Sequence, residues 1–146
     1  MAGPGDEAYQ TRLTQLAAQL GLDPHVTWTG MLGGDLKWGA FRAAEAFILP
    51  SHQENFGVSV VEALACGVPV LISDQVNIWR EIASAHAGLV ESDDLAGTTR
   101  LWQRWQLLST DEKQRMGHEA SRCFEEKFHV MVVARYLITT IYELMS

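Results

Sequence analysis

The sequence predicts an α/β fold in which a parallel, Rossmann-like sheet is flanked by helices. Short apolar runs alternate along the chain with longer amphipathic segments, a pattern typical of βα units. The short runs are apolar at consecutive positions, as expected for strands that are covered on both faces. With 146 residues, the chain is long enough for one domain core and too short for two Rossmann domains.

Helices are predicted where apolar residues recur every three or four positions, and strands where apolar residues are consecutive. The run Ala46-Phe-Ile-Leu reads as a buried strand because it ends at Pro50 and Ser51, and Gly57 then opens a helix that packs on it. In chain order, the predicted elements are helix 6–21, strand 26–29, helix 34–43, strand 45–49, helix 57–66, strand 69–72, helix 77–85, strand 87–91 and helices 94–108, 110–125 and 130–145.

Composition limits the classes of partner. A net charge of −7 without a basic stripe argues against a nucleic-acid-binding protein. No run approaches the roughly 18 apolar residues of a spanning helix, so we expect no transmembrane segment. Cys66 and Cys123 lack a metal-binding spacing and are interpreted as reduced and structural. The expected location is the cytoplasm, with peripheral attachment to the inner membrane face left open for the full-length protein.

The turn between the strand at 45–49 and the helix at 57–66 holds the most informative residues. Because Gly57 lacks a Cβ and opens a helix at a strand's carboxyl end, backbone N–H groups in this turn can approach an anion. Glu62 lies about 7 to 8 Å further along the helix, roughly the step from a pyrophosphate to the ribose of one nucleotide. On spacing alone, an ordinary βα unit with two solvated glutamates, Glu54 and Glu62, stays equally open.

The residues around this turn resemble the signature of retaining glycosyltransferases of the GT-B fold, the large family 4 type. Further segments, 21–30 and 81–90, resemble that family's helix ends and following strands, in the same order. The strings that carry the main resemblance are Leu49-Pro-Ser51, Glu54-x-Phe56-Gly57 and Glu62-Ala-Leu-Ala-Cys-Gly67-Val-Pro69-Val70.

The resemblance implies a domain that binds a nucleotide-diphosphate sugar and helps to transfer the sugar with retained configuration. By position, Phe56 belongs to the donor-binding motif, and the amides of Gly57, Val58 and Ser59 would hold the diphosphate. Glu62 would bind the ribose hydroxyls. Glu54 would face the donor sugar as the catalytic group, positioning the sugar and stabilising charge.

Five more positions are candidates for the same site. The resemblance places Met31 and Leu32 against the nucleobase and Lys37 near the phosphates or sugar, with a solvated helix charge as the alternative for Lys37. His52, two residues before Glu54, is a further candidate that could touch the donor sugar or the acceptor, with a solvated loop histidine as the alternative. Asp74 is a candidate because it follows a predicted strand at the same sheet edge. No Asp-x-Asp or clustered His and Cys set predicts a metal site, and no cofactor is expected beyond the nucleotide-sugar substrate.

The resemblance also implies that parts of the two-domain enzyme are absent. The match begins near residues 3–7, at the end of the family's second donor-domain strand. We therefore expect a single incomplete nucleotide-sugar-binding domain, a truncated C-terminal half of a GT-B fold without the N-terminal acceptor domain. The isolated chain would be inactive, and a glycan or lipid-linked acceptor would bind through the missing domain.

Two structural expectations follow from this truncation. In the strand order 3-2-1-4-5-6, strand 26–29 would be third and strand 45–49 fourth, so 26–29 lacks a partner unless it moves beside 45–49 or another chain pairs with it. The apolar stripe of the tail helices, which includes Trp102 and Trp105, is predicted to pack into a core, and part of it would be exposed if its partner domain is missing.

Three functional hypotheses stay open at this point. The first is the donor half of a sugar transferase, active only with its missing portion. The second is a stand-alone nucleotide-sugar binding or regulatory module, or one half of a split enzyme. The third is an epimerase or phosphorylase on the same two-domain fold, which the pairing of Glu54 with Glu62 disfavours.

Overall fold

The computed structural model describes residues 1–3 and 5–145 of the chain. Its contacts divide the chain into two compact units, residues 1–39 and 40–146. The predicted fold class is confirmed, because the second unit contains a parallel three-stranded sheet with flanking helices. The assignment of the whole chain to one incomplete nucleotide-sugar-binding domain stays a prediction.

The first unit contains helix α1, Glu7–Gln19, and a short 3₁₀ helix, Asp23–His25. Asp6 fixes the start of α1, since its Oδ1 accepts the N–H groups of Ala8 and Tyr9 at 3.0 and 3.1 Å. The division between the units falls within helix α2, Gly34–Ala43, whose bounds match the predicted helix 34–43.

The predicted strand 26–29 is wrong. This segment forms no strand, and the pairing beside it is a single parallel bridge between Ala2 and Gly30. The Gly3 N–H donates to the Gly30 carbonyl at 2.9 Å, and the Thr29 N–H donates to the Met1 carbonyl at 3.0 Å. Among the described residues, the pairing beside this segment is thus an isolated bridge that does not continue into a ladder.

The second unit is built on strands β1, Phe47–Leu49, β2, Val70–Ser73, and β3, Gly88–Glu91. They pair in the order β1-β2-β3, all parallel, and β2 is buried along its whole length. Gly88 is required at the start of β3, because a Cβ there would lie 1.9 Å from the Val70 carbonyl oxygen.

Helices cover both faces of this sheet. Successive residues of β2 point to opposite sides, so Val70 and Ile72 join one buried cluster and Leu71 joins another. The first cluster includes residues of α3, Val58–Ala65, α4, Trp79–Ser84, and α6, Thr110–Cys123, and the second includes residues of α5, Leu95–Leu107.

The tail of the chain leaves the core. After α6, a π-helix, Phe124–Phe128, leads to α7, Val130–Met145, in which no described residue is buried. The core prediction for the apolar stripe is confirmed for Trp105, which is 4% exposed. It is wrong for Trp102, which is 52% exposed, and the described residues of α7 belong to the part of the stripe that is not buried.

The stretch Thr110–Met145 also bears on the membrane expectation. It contains an 18-residue window with a mean hydropathy of 1.2, none of it buried, and so meets the length and composition of a spanning helix. Such a window is weak evidence for a span, so the expectation of no transmembrane segment stays a prediction.

Candidate functional site

The turn between β1 and α3 lies at the carboxyl end of the sheet, as predicted. Gly57 is the N-cap residue of α3 and has a left-handed backbone, with φ 71° and ψ 58°. A Cβ at this position would lie 3.1 Å from Val60 Cγ2 and 3.2 Å from Val76 Cγ1. Both the conformation and the lack of space therefore require glycine where the backbone turns into the helix.

Glu54 is fixed in this turn by its side chain and its backbone. Its Oε1 accepts the N–H of the N-cap residue Gly57 at 3.1 Å, which places the carboxylate beside the positive end of α3. Its own N–H donates to the Gln75 carbonyl at 3.2 Å, and its carbonyl accepts the Asn77 N–H at 3.1 Å. The loop after β2 therefore holds Glu54 in place. Asn77 does not cap α4, whose N-cap is Ile78 without a side-chain hydrogen bond.

The amides after Gly57 are the remaining polar groups of the helix start. The Val60 and Val61 N–H groups donate to the Gly57 carbonyl at 2.8 and 3.1 Å. Within the described part of the chain, the N–H groups of Val58 and Ser59 have no hydrogen-bond acceptor, as is usual in the first turn of a helix. They offer two donors beside the one that Glu54 occupies.

Glu62 lies one turn further along α3. It is half-buried and shares the helix face of Val58, four residues earlier, while Val60, Ala63 and Leu64 form the buried face. The spacing predicted from the sequence is thus realised on a regular helix. The two glutamates are separated by the helix start, with Glu54 before it and Glu62 after it.

Phe56 is held against the tail. Its ring is 48% exposed and meets the Phe128 ring edge to face, with 6.1 Å between the ring centroids. Phe128 ends the π-helix, an element that sequence periodicity of 3.6 residues does not predict. This contact was missed because nothing in the local sequence of either residue signals it.

A second side-chain pair spans the same sheet edge. His52 Nδ1 lies 2.9 Å from Asp93 Oδ2, and the two residues are 41 positions apart in the sequence. His52 precedes Glu54 by two residues, and Asp93 follows β3. No motif marked Asp93, since its relation to His52 depends on the parallel order of the strands. Asp74, the other candidate, is exposed, and its Oδ1 accepts the Gln75 Nε2 at 2.7 Å.

The loop after β3 is anchored by charge. Hydrogen bonds from Arg100 and Arg104, at 2.9 and 2.7 Å, hold the pKa of Glu91 below its ordinary value. The Gly97 N–H donates to Asp94 at 2.6 Å and lowers the pKa of that carboxyl, which caps α5.

The remaining candidates belong to the first unit. Met31 is exposed and Leu32 is half-buried in the loop before α2. Lys37 lies on α2, with its Nζ 4.8 Å from the centre of the Trp38 ring. Their assignments to the base and the phosphates stay predictions.

A groove of about 660 Å³ lies at the opposite edge of the sheet, before β1 and β2. Glu45, Gly67 and Lys113 contribute to its lining, and Lys113 Nζ lies 3.5 Å from Glu45 Oε2. The groove contains none of the predicted site residues. Among the residues that the structure describes, no group of three or more His, Cys, Asp and Glu side chains is arranged to hold a metal ion.

Solved structures share this architecture. Sucrose-phosphate synthase from Thermosynechococcus elongatus matches with a TM-score of 0.81 and 22% identity, over 99% of this chain and 37% of that one. Anabaena HepE, solved in complex with UDP and glucose, matches with a TM-score of 0.82 and 19% identity, over 97% of this chain and 39% of that one. The protein therefore has the architecture of part of a GT-B glycosyltransferase.

Sequence comparison identifies the family. The model of glycosyl transferases group 1 matches residues 1–119, and the chain belongs to this family. A D-inositol 3-phosphate glycosyltransferase from Streptomyces coelicolor is 33% identical over 111 residues, 75% of this chain and 24% of that protein. Another, from Mycolicibacterium vanbaalenii, is 41% identical over 69 residues, 47% of this chain and 15% of that protein. The chain thus spans about a quarter or less of these relatives.

Proposed function

We propose that this chain carries the donor side of a glycosyltransferase site. It binds a nucleotide-diphosphate sugar at the turn between β1 and α3 and presents the sugar for transfer with retained configuration. The observation that carries the proposal is the helix start at the carboxyl end of β1, with Glu54 before it and Glu62 after it. Membership of the glycosyl transferases group 1 family supports it.

The diphosphate belongs at the first turn of α3. The N–H groups of Val58 and Ser59 and the positive end of the helix attract an anion at this place. The left-handed Gly57 brings the backbone close without a side chain. A leaving nucleoside diphosphate gains charge as the glycosidic bond breaks, and fixed backbone dipoles stabilise that charge. We propose a metal-independent transfer for this reason.

The two glutamates take different roles in this proposal. Glu62 accepts hydrogen bonds from the ribose hydroxyls, since a carboxylate accepts two such bonds and α3 spaces it one turn from the phosphate position. Glu54 lies beside the sugar, where it positions the ring and stabilises developing positive charge. The acceptor, a glycan or a lipid-linked sugar, then attacks from the face that the leaving group vacates.

In this proposal, the groups that bind the acceptor belong to a part of the enzyme outside this chain. The chain covers 24% of the Streptomyces coelicolor relative, so acceptor binding and additional cations for the diphosphate are assigned to the rest of a longer enzyme. We propose that the isolated chain binds the donor without turning it over.

Calorimetric titration tests the donor site. UDP, GDP and ADP are each compared with a matching sugar nucleotide, beginning with UDP and UDP-glucose. We expect one pair to bind, and Glu62→Ala to weaken nucleotide affinity by about tenfold or more, as expected when hydrogen bonds to a charged group are lost. Glu143→Ala on the exposed α7 is the matched control and should leave affinity unchanged.

Two results would contradict the proposal. If none of the three pairs bound at millimolar concentration, the chain would not hold a donor site by itself. If one pair bound with the same affinity to wild type and to Glu62→Ala, the ribose role of Glu62 would be wrong while the diphosphate site would stand.

A further inference from the structure

The contact between His52 and Asp93 joins two loops across the end of the central strand. The first loop follows β1, the second follows β3, and β2 lies between these strands. The His52 side chain is 84% exposed and the Asp93 side chain 35% exposed. A pair this exposed adds little to folding stability, so stabilisation is a weak reason for its geometry.

Both partners extend from loops that are held in place. On the His52 side, the Ser51 carbonyl accepts the Ser73 hydroxyl, and the Glu54 backbone is bonded to the loop after β2. On the Asp93 side, the Ser92 hydroxyl donates to Asp94 at 3.0 Å and accepts the Arg100 Nη2 at 3.0 Å. The imidazole is therefore oriented by a carboxylate whose neighbours in the chain, Ser92 and Asp94, are held by hydrogen bonds.

The carboxylate determines which ring nitrogen is available. A carboxylate at Nδ1 places the proton of the neutral imidazole on that nitrogen, so Nε2 keeps a lone pair. Nε2 lies on the opposite side of the ring, in a side chain that is mostly exposed. His52 thus presents a directed hydrogen-bond acceptor to solvent at the carboxyl edge of the sheet.

We infer that His52 is a specificity-determining residue that accepts a hydrogen bond from a hydroxyl group of the donor sugar, and that Asp93 is its positioning residue. The inference rests on the proposed function, which places the sugar beside Glu54, two residues further along the same anchored turn. A sugar presents hydroxyl donors, and an imidazole nitrogen with a fixed direction distinguishes one hydroxyl position from another. The diphosphate does not contact His52 in this arrangement.

The test compares affinities for a sugar nucleotide and for the matching nucleoside diphosphate. The 146-residue chain is titrated with UDP and UDP-glucose, GDP and GDP-mannose, and ADP and ADP-glucose, and the pair that binds is used for the variants. His52→Ala should lower affinity for the sugar nucleotide about 3- to 10-fold, the range of one hydrogen bond, and leave affinity for the diphosphate unchanged. His52→Gln, which keeps an acceptor, should recover part of the loss.

The positioning role of Asp93 is tested by comparing Asp93→Asn in the wild-type background and in the His52→Ala background. Asp93→Asn should lower affinity for the sugar nucleotide about two- to threefold in the wild-type background, because the imidazole loses its fixed orientation. It should have no further effect in the His52→Ala background, as expected for two residues that act together. His118→Ala and Asp111→Asn, both exposed and far along the chain, are the controls and should change neither affinity.

The outcomes separate this inference from the proposed function. Absence of binding by all six compounds overturns the proposed function, and this inference with it. Binding in which His52→Ala leaves the ratio of the two affinities at its wild-type value overturns the inference alone. If Asp93→Asn weakened binding equally in both backgrounds, Asp93 would act independently of His52 and its positioning role would be wrong.

Discussion

Helices α3 and α7 have similar apolar sequences and opposite environments. In α3, Val60, Ala63 and Leu64 are fully buried. In α7, which is twice as long, no described residue is buried, and Leu137 is 60% exposed. The difference teaches that an apolar pattern predicts a helix, whereas burial depends on what packs against it.

The surroundings of α3 explain its burial. It packs on β1 and β2 on one side and on α6 and the π-helix on the other, so its apolar face is enclosed. The main neighbour of α7 is the π-helix that leads into it. The apolar surface of α7 thus contributes little to the stability of this unit, while that of α3 contributes to its core.

The largest expected effect contrasts the two helices directly. Leu64→Ala in α3 should lower the free energy of unfolding by about 2–5 kcal/mol, because it removes a fully buried side chain and leaves a cavity. Leu137→Ala in α7 should change it by less than about 0.5 kcal/mol. Urea denaturation of both variants measures the difference. Equal losses would show that α7 is packed in solution and would break the comparison.

A smaller effect is expected at the start of α3. Gly57→Ala should lower the free energy of unfolding by about 1–2 kcal/mol, because alanine must adopt a left-handed backbone. The added methyl group would also press on Val60 and Val76. Gly39→Ala, in the interior of α2 with nothing near its Cβ, should instead stabilise by up to about 1 kcal/mol. Thermal or urea unfolding that shifted both variants in the same direction would contradict this account.

The smallest effect concerns ion pairs. Glu91, at the carboxyl edge of the sheet, forms two of them, whereas α7 contains few charged residues. Arg100 and Arg104 keep the pKa of Glu91 below its ordinary value of 4.5. The ion pairs of Glu91 with the two arginines therefore stabilise the fold at pH values above 4.5. This contribution is lost as the pH falls through the lower pKa that Glu91 has in the folded state. Glu91→Gln should lower stability at neutral pH by less than about 1 kcal/mol and should weaken the loss of stability on acidification.

Denaturant unfolding at pH 7 and at about pH 4 measures this effect, since the contribution fades below the ordinary pKa. Glu143→Gln on α7, where the carboxyl is exposed, is the control. If both variants kept the acid sensitivity of the wild type, the two arginines would not stabilise the ionised Glu91.

Most elements of the fold could be predicted from local sequence. Helix 34–43 was predicted with its exact bounds, and β2 was predicted to within one residue, because apolar runs bounded by turn residues are local signals. The strand at 26–29 failed for a different reason. A strand requires a partner with which it forms a continuous ladder, and the described part of the chain offers this segment an isolated bridge at Gly30 instead.

The candidate site divides in the same way. The turn around Gly57 was found because its glycine, its strand and its glutamates are consecutive in the sequence. Asp93 and Phe128 were missed, since their contacts to His52 and Phe56 are set by strand order and by the π-helix. The hydrogen bond from the Gly57 N–H to Glu54 was also missed. The resemblance implied that the Gly57 amide binds the diphosphate and that Glu54 faces the donor sugar, so no contact between them was predicted.

That contact has a consequence for any ligand of the turn. In the structure, the Glu54 carboxylate occupies the Gly57 N–H at the positive end of α3. Under the proposed function, an anion that also took the Gly57 N–H would compete with a carboxylate tethered only three residues away, whose effective concentration is on the order of millimolar. The affinity measured for a phosphate at this N–H would then reflect a difference between two free energies. One is that of the phosphate contact with the amide, and the other is that of the Glu54 carboxylate contact that the phosphate replaces. At the Gly57 N–H, the turn would act as a site of exchange, in which arrival of the phosphate and departure of the Glu54 carboxylate are the same event.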